Sequence, residues 1–352
     1  MKILILAGGF GKRLWPLSSQ KSPKQLIPLI GNETLLQKTY KRMSSGFKSS
    51  DIFIATSKEH LVHIRKQLPN IKSSQLIIEP VRRNTAAAIG LATALISKKN
   101  PKEIIVTINS DHYIKNVKKF ISKLKVAEGV IKKNPDNILL LGIKPTYPET
   151  GYGYIKLKKT FKKFNADKVY EVDSFTEKPK LNTAKRYLKN RNYLWNPAYF
   201  VFRADTMLNN FKSNLFVQYK ILKKIQNKPS LLNKEFKKIK AISIDYGIME
   251  KANNLICMPI DIGWSDIGHW QTIYDMLSVK KNDNVIQGKY LQIDSQGNLI
   301  FNYTDKLVST IGINNSIIVE TDKVTLVCQK DKAQDVKKMV ELLSKKDFKK
   351  YL

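Results

Sequence analysis

At 352 residues the chain exceeds what one hydrophobic core serves well, so a large domain with a smaller companion is the starting expectation. An apolar share of 42% with 9% aromatics is enough for packed cores and excludes a disordered chain. The net charge of +33 invites a nucleic-acid or anionic-membrane partner.

Only eight of the 62 basic residues are arginine, however, and lysine pairs such as Lys118-Lys119, Lys132-Lys133, Lys223-Lys224 and Lys237-Lys238 recur along the predicted helices. That pattern reads as a solvated surface rather than a base-reading face, so no nucleic-acid or membrane partner is expected. The apolar run at residues 3–7 stops at Gly8-Gly9 and meets Lys12-Arg13, shorter than the roughly 7–15 residues of an export core. Nothing approaches the ~18 uninterrupted apolar residues of a membrane span. Cys257 and Cys328 lie in apolar runs without a CxxC pattern, which reads as two free thiols in a reducing compartment. A cytoplasmic location is therefore expected.

Strand-like runs at 2–7, 51–56, 75–79, 103–108 and 137–143 alternate with amphipathic segments at 34–46, 58–68, 85–99 and 117–133. This βαβ series predicts a mixed, mostly parallel sheet flanked by helices, with ligands beyond the carboxyl ends of the strands. Further strands are predicted at 152–157, 168–176 and 199–203, followed by lysine-rich helices. After Lys280-Lys281-Asn282-Asp283-Asn284 the texture changes to short β-rich runs separated by turn clusters, closing on an amphipathic helix near 332–343. The predicted division is a catalytic domain over 1–283 and a small β domain over 284–352.

The first strand runs into Gly8-Gly9-Phe10-Gly11-Lys12-Arg13-Leu14-Trp15-Pro16-Leu17. A dinucleotide fingerprint would need glycine at Leu14, and a Walker loop would need glycine at Leu6 and a hydroxyl after the Gly-Lys pair. What remains is a glycine-rich turn whose bare amides can approach phosphates, with Lys12 and Arg13 to neutralise them. Ser22-Pro23-Lys24-Gln25 adds a cation on a rigid turn. Asn109-Ser110-Asp111-His112 ends a strand with a carboxylate, a position suited to Mg²⁺, which takes one or two protein carboxylates plus phosphate oxygens. Thr85 or Asn84 also suits a helix N-cap.

The run GGFGKRLWPLSSQKSPKQ resembles the opening loop of nucleoside-diphosphate-sugar pyrophosphorylases, and Trp15 with the later Pro-Lys-Gln resembles their GDP-mannose branch. Glu79-Pro80-Val81-Arg82-Arg83-Asn84-Thr85-Ala86 is similar to EPxxRNTAPA, and residues 261–270 are similar to DxGWSDxGxW. Pro148-Glu149-Thr150-Gly151-Tyr152-Gly153-Tyr154 is similar to PETGYGY, and Phe175-Thr176-Glu177-Lys178-Pro179 to FxEKP. Ser243-Ile244-Asp245-Tyr246-Gly247-Ile248-Met249-Glu250 resembles SIDYAxME; Asp245 and Glu250 receive no catalytic role from it.

The resemblance covers nearly the whole chain. It implies a Rossmann-like α/β nucleotidyltransferase fold with a small left-handed β-helix that makes dimer contacts. The implied reaction moves GMP from GTP to mannose 1-phosphate and releases pyrophosphate; a different sugar 1-phosphate or nucleotide is the alternative. Gly8, Gly9 and Gly11 would wrap the nucleoside triphosphate, with Ser110 beside it, while Arg13 and Lys24 hold its phosphates. Glu79, Arg83 and Asn84 have the donor and acceptor types that guanine requires. Asp111 and Asp266 would bind Mg²⁺; for Asp266 a helix N-cap is the other reading. Gly151, Gly153, Glu177 and Asn196 would contact the sugar, and Lys178 its phosphate. The chain departs from the family pattern at Asn109, where proline is usual, at Ala87 and at His269. It departs again at Pro197-Ala198, where the family reads Ser-Gly after Trp195-Asn196. Proline lacks an amide donor there and alanine disfavours positive φ. The chain stops short of the cupin-like domain of longer relatives, so phosphomannose isomerase activity is not expected.

Overall fold

The computed structural model describes the chain except for Phe10, Gly11, Gln20, Lys21, Lys281, Lys346 and the side chain of Lys12. Gly11 therefore lies outside the described residues. The strands are β1 Lys2–Leu6, β2 Ile52–Ser57, β3 Leu76–Glu79, β4 Ile104–Asn109, β5 His112–Ile114, β6 Ile138–Ile143, β7 Gly153–Phe164, β8 Asp167–Thr176, β9 Tyr193–Asn196, β10 Phe200–Arg203, β11 Leu255–Ile260 and β12 Trp264–Asp266. They continue as β13 Val285–Gln287, β14 Tyr290–Ile293, β15 Leu299–Asn302, β16 Val308–Ile311, β17 Ser316–Glu320 and β18 Thr325–Gln329. The helices used below are α1 Leu35–Ser44, α2 Leu61–Gln67, α3 Asn84–Ile96 and α4 Val117–Lys133.

Contacts divide the chain into two compact units. The first comprises Met1–Gly8, Gln37–Ser110 and Ile114–Trp264; the second comprises Gly9–Leu36, Asp111–Tyr113 and Ser265–Leu352. By contacts, the loop after β1 is grouped with the C-terminal β-rich segment.

The first unit is built on a ten-stranded sheet in the order β11-β8-β7-β9-β6-β10-β4-β1-β2-β3. β4, β1, β2 and β3 are parallel neighbours, as a βαβ series requires, and β10 enters antiparallel between β4 and β6. Every residue of β6 is buried, consistent with a strand packed on both faces. α4 buries Phe120, Ile121, Leu124, Ala127, Val130 and Ile131 at helical spacing, and the Asn116 side chain caps it by accepting from Lys119 N at 3.0 Å. β11 occupies the apolar run around Cys257, near whose end Pro259 stands. It runs parallel to β6 with Pro259 opposite Gly142, while its pairing with β8 is confined to Ile256 and Cys257, so the missing amide lies beyond the doubly paired stretch.

In the second unit β13, β15 and β17 run parallel, β18 closes antiparallel, and β14 pairs with β16. Their core includes Leu299, Phe301, Ile317 and Val319 together with Leu14 and Trp15 from the loop after β1. The Trp15 indole donates to the carbonyl of Tyr351 at 2.8 Å, and that of Trp270 donates to the Trp15 carbonyl at 3.0 Å. Among the described residues no helix is long and apolar enough to cross a membrane. Cys257 and Cys328 are free thiols, and burial pushes the Cys257 thiol well up from its ordinary value.

Candidate active site

In the second unit Lys24 opens a 3₁₀ turn, Lys24–Leu26, preceded by the extended Pro23. Its ammonium donates to Asp111 Oδ2 at 2.9 Å, Asp266 Oδ1 at 3.2 Å and the carbonyl of Ile267 at 2.9 Å. Three acceptors match the three protons of an ammonium. Burial alone would lower the Lys24 pKa, but the two carboxylates outweigh it and raise it. Burial would likewise raise Asp111; Lys24, with His112 behind it, overrides this and holds the carboxyl below its usual range.

Asp266 lies in a strand and bonds Lys24 rather than capping the helix that begins at Trp270, whose N-cap position is His269. A Cβ on Gly268 would stand 3.3 Å from Asp266 Oδ2 and 3.7 Å from Arg13 Nη1, so both groups border this glycine. The Gln25 amide donates to Gly9 O at 2.9 Å and pins the loop, a role the sequence reading missed.

In the first unit Gly8 follows β1, and a Cβ there would lie 3.6 Å from Glu79 Oε1 at the end of β3. Burial pushes the Glu79 carboxyl up from 4.5 to about 7, with Arg82 pulling weakly the other way. A raised carboxyl pKa favours the protonated form, so its contribution to stability is full below pH 4.5 and is lost as pH rises through 7. The difference corresponds to about 3 kcal/mol. Glu79→Gln removes it: from about pH 4 to about pH 8 the wild type should lose about 3 kcal/mol relative to the variant in denaturant titrations. A difference that stays flat with pH would mean that Glu79 is charged throughout.

Arg83 donates to the Lys237 carbonyl at 2.7 Å, and Asn84 adopts φ 68 with its side chain accepting from Thr85 N at 2.7 Å. Neither Asn84 nor Thr85 caps α3 as expected from the sequence. The assigned N-cap is Arg83, without a side-chain bond, and the Thr85 hydroxyl instead accepts from Ile244 N at 2.9 Å. The Ser110 hydroxyl donates to Leu6 O at 2.8 Å, tying β4 to β1.

The residues assigned to the sugar gather in the same unit. A Cβ on Gly153 would fall 2.6 Å from Glu177 Oε2 and 3.3 Å from Asn196 Cβ, so any side chain there would displace the Glu177 carboxylate. The Gly151 amide donates to Glu149 Oε1 at 2.7 Å, whereas the sequence reading left it for a ligand. Lys178, at φ 46, donates to Glu177 Oε1 at 2.6 Å; burial would lower its pKa, but Glu177 raises it.

The Asn196 side chain donates to Asp245 Oδ1 at 3.1 Å and accepts from Ala198 N at 2.9 Å. Burial, reinforced by the charge of Glu177, pushes Asp245 up from 3.8 to about 7. Glu250 Oε1 accepts from Glu177 N at 2.9 Å. Asp245 and Glu250 thus support the sugar-assigned side chains, although the sequence offered only a motif without roles for them. Ala198 takes φ 56, the conformation that alanine disfavours.

The fold agrees with a comparison against protein families. Residues 2–282 match the nucleotidyl transferase model, and residues 288–343 match the MannoseP isomerase/GMP-like beta-helix domain. The chain belongs to the nucleotidyl transferase family. This nucleotidyl transferase is 35% identical to mannose-1-phosphate guanylyltransferase 2 of Escherichia coli O157:H7, over 97% of its own length and 73% of that protein's. It is 34% identical to the mannose-1-phosphate guanylyltransferase RfbM of Salmonella typhimurium, over 99% of its length and 73% of that protein's. Among solved structures it resembles one described as a mannose-1-phosphate geranyltransferase from Thermus thermophilus. The TM-score is 0.87 at 30% identity, covering 97% of this chain and 99% of that one. A mannose-6-phosphate isomerase from Helicobacter pylori, 23% identical, shares the fold over 76% of this chain and 100% of its own with a TM-score of 0.62.

Proposed function

We propose that this nucleotidyl transferase moves GMP from GTP to α-D-mannose 1-phosphate, forming GDP-mannose and pyrophosphate. The observation that carries the reading is the Lys24–Asp111–Asp266 cluster, with Arg13 beside it, in a chain whose relatives are named mannose-1-phosphate guanylyltransferases. The sugar phosphate is mostly dianionic near neutrality, since the second pKa of a phosphomonoester is about 6, and it needs no general base. Its oxygen attacks the α-phosphorus of GTP, the α–β P–O bond breaks, and pyrophosphate leaves with the electron pair. The task is to bring two polyanions together and to stabilise the leaving charge. Arg13 and Lys24 do this for the triphosphate, and Lys178 for the sugar's phosphate. Glu79, Arg83 and Asn84 serve the base, while Gly153, Glu177 and Asn196 serve the mannose hydroxyls.

Asp111 and Asp266 are the proposed Mg²⁺ ligands. Their fit rests on two carboxylates already converging on one cation, the Lys24 ammonium, at 2.9 and 3.2 Å. Bound there, Mg²⁺ supplies positive charge against the phosphate oxygens. The same reading includes a cytoplasmic homodimer. It is supported by the two free thiols and by exposed Leu291, Ile293 and Ile311 on the small β unit.

Arg13→Ala should lower kcat/KM by about 100-fold or more while far-UV circular dichroism stays unchanged. Wild-type-like turnover would remove Arg13 from the site. The function itself is tested by pyrophosphate release with Mg²⁺, crossing GTP, ATP, UTP and dTTP against mannose 1-phosphate and glucose 1-phosphate. Turnover confined mainly to GTP with mannose 1-phosphate is expected; a different preferred pair, or silence from folded protein, overturns it.

A further inference from the structure

We propose that Asn109 is a positioning residue for the sugar subsite, acting on Asn196 through the turn at Pro197–Ala198. The inference rests on the sugar role of Asn196 proposed above. Asn109 closes β4, and its Nδ2 donates to the carbonyl of Pro197 at 3.0 Å. Thr107, two residues earlier and hence on the same face of the strand, donates to the carbonyl of Ala198 at 2.9 Å and accepts from Phe200 N at 3.0 Å. Two side chains on one face of β4 thus grip successive carbonyls of the turn.

Carbonyls are the handles available because proline at 197 has no amide. The amide that does remain, Ala198 N, donates to Asn196 Oδ1 at 2.9 Å. This bond fixes which end of the Asn196 side chain faces Asp245, to which Nδ2 donates at 3.1 Å. The arrangement holds Ala198 at φ 56, where an L-residue other than glycine is strained. Left alone, alanine would relax out of that region and carry the Asn196 partner with it; the two β4 tethers oppose this. Asn109 and Pro197–Ala198 are both departures from the family pattern, and the two departures meet in one hydrogen bond.

A residue that only satisfied a buried carbonyl would weaken the fold without favouring one substrate. A positioning residue splits the constants. Asn109→Ala and the isosteric Asn109→Asp, which has no donor, should raise KM for mannose 1-phosphate about tenfold and leave KM for GTP within about twofold, a scale of effect of about 1.4 kcal/mol. Adding Ala198→Gly to Asn109→Ala removes the strain that the tether opposes, so the double variant should recover most of the lost KM.

A second readout does not depend on turnover. Ala198→Gly should raise Tm by about 2 °C in the wild-type background and by less beside Asn109→Ala, where the turn has already relaxed. Equal rises of both KM values, a double variant as impaired as Asn109→Ala, or equal Tm gains in the two backgrounds would overturn the proposal. If the wild type does not use mannose 1-phosphate, the functional reading fails instead. The thermal comparison still decides whether Asn109 holds the turn.

Discussion

Replacing Lys24 with alanine is expected to abolish measurable turnover, a loss of at least about 1000-fold, and to lower stability by about 3 kcal/mol. The side chain is 11% exposed, and its partners Asp111 and Asp266 are 27% and 23% exposed. Removing the ammonium leaves two partly buried carboxylates facing each other without the cation that bridges them. Breaking such a pair costs more than the pair contributed, because the desolvation of the survivors is no longer offset. Mg²⁺ distinguishes this electrostatic account from simple loss of packing. In the variant a divalent cation has two uncompensated carboxylates to bind, so its Tm should rise with Mg²⁺ more steeply than that of the wild type. Lys24→Met, which keeps most of the apolar volume, should behave like Lys24→Ala in both respects. A Lys24→Ala protein with wild-type Tm and no added response to Mg²⁺ would show that the three groups are not electrostatically coupled.

The strands of the parallel half were legible because their signal is local. Runs such as 103–108 and 137–143 are apolar, short and bounded by turn residues, and they appear as β4 and β6 within a residue at each end. β9 was not legible, since four residues are too few for a periodic signal and its pairing with β6 and β7 is what makes it a strand. At the site, the residue types were readable and their partners were not. Nothing in the spacing of Lys24 and Asp266, 242 positions apart, says that the cation bonds this carboxylate. The reading of Ala198 as hostile to positive φ was sound as propensity. The structure holds that conformation nonetheless, through Thr107 and Asn109, which lie 91 and 88 residues from their partners in the chain. Asp245 shows the same limit: its motif was visible, but its bond to Asn196 spans 49 positions and belongs to packing rather than to pattern.

A chain ended after residue 283 should lose turnover entirely, although the motifs in residues 2–282 remain intact. The second unit's core explains why. Of the seventeen buried residues in its main cluster among the described residues, nine, from Val285 to Val340, lie beyond that cut. They share one core with Leu14, Trp15, Leu29 and Leu35, which stand on either side of Arg13 and Lys24 in the sequence. At about 1.5–3 kcal/mol for each large side chain returned to water, the loss is on the order of 10 kcal/mol, comparable with the whole stability of a domain. The Trp15 indole would also lose the Tyr351 carbonyl. Hydrogen exchange on the shortened chain should therefore find residues 12–19 and 22–36 unprotected, while β1, β2 and β4 of the first unit keep their protection. Trp15→Ala in the full chain is the milder form of the same experiment, costing about 3–5 kcal/mol and loosening the same segment. Turnover by the shortened chain within about tenfold of the full chain, or unchanged protection of residues 12–19 and 22–36, would show that the loop holds Arg13 and Lys24 without the β-rich unit. The expected result makes that unit part of the catalytic apparatus, because the loop proposed to hold the triphosphate is folded within it.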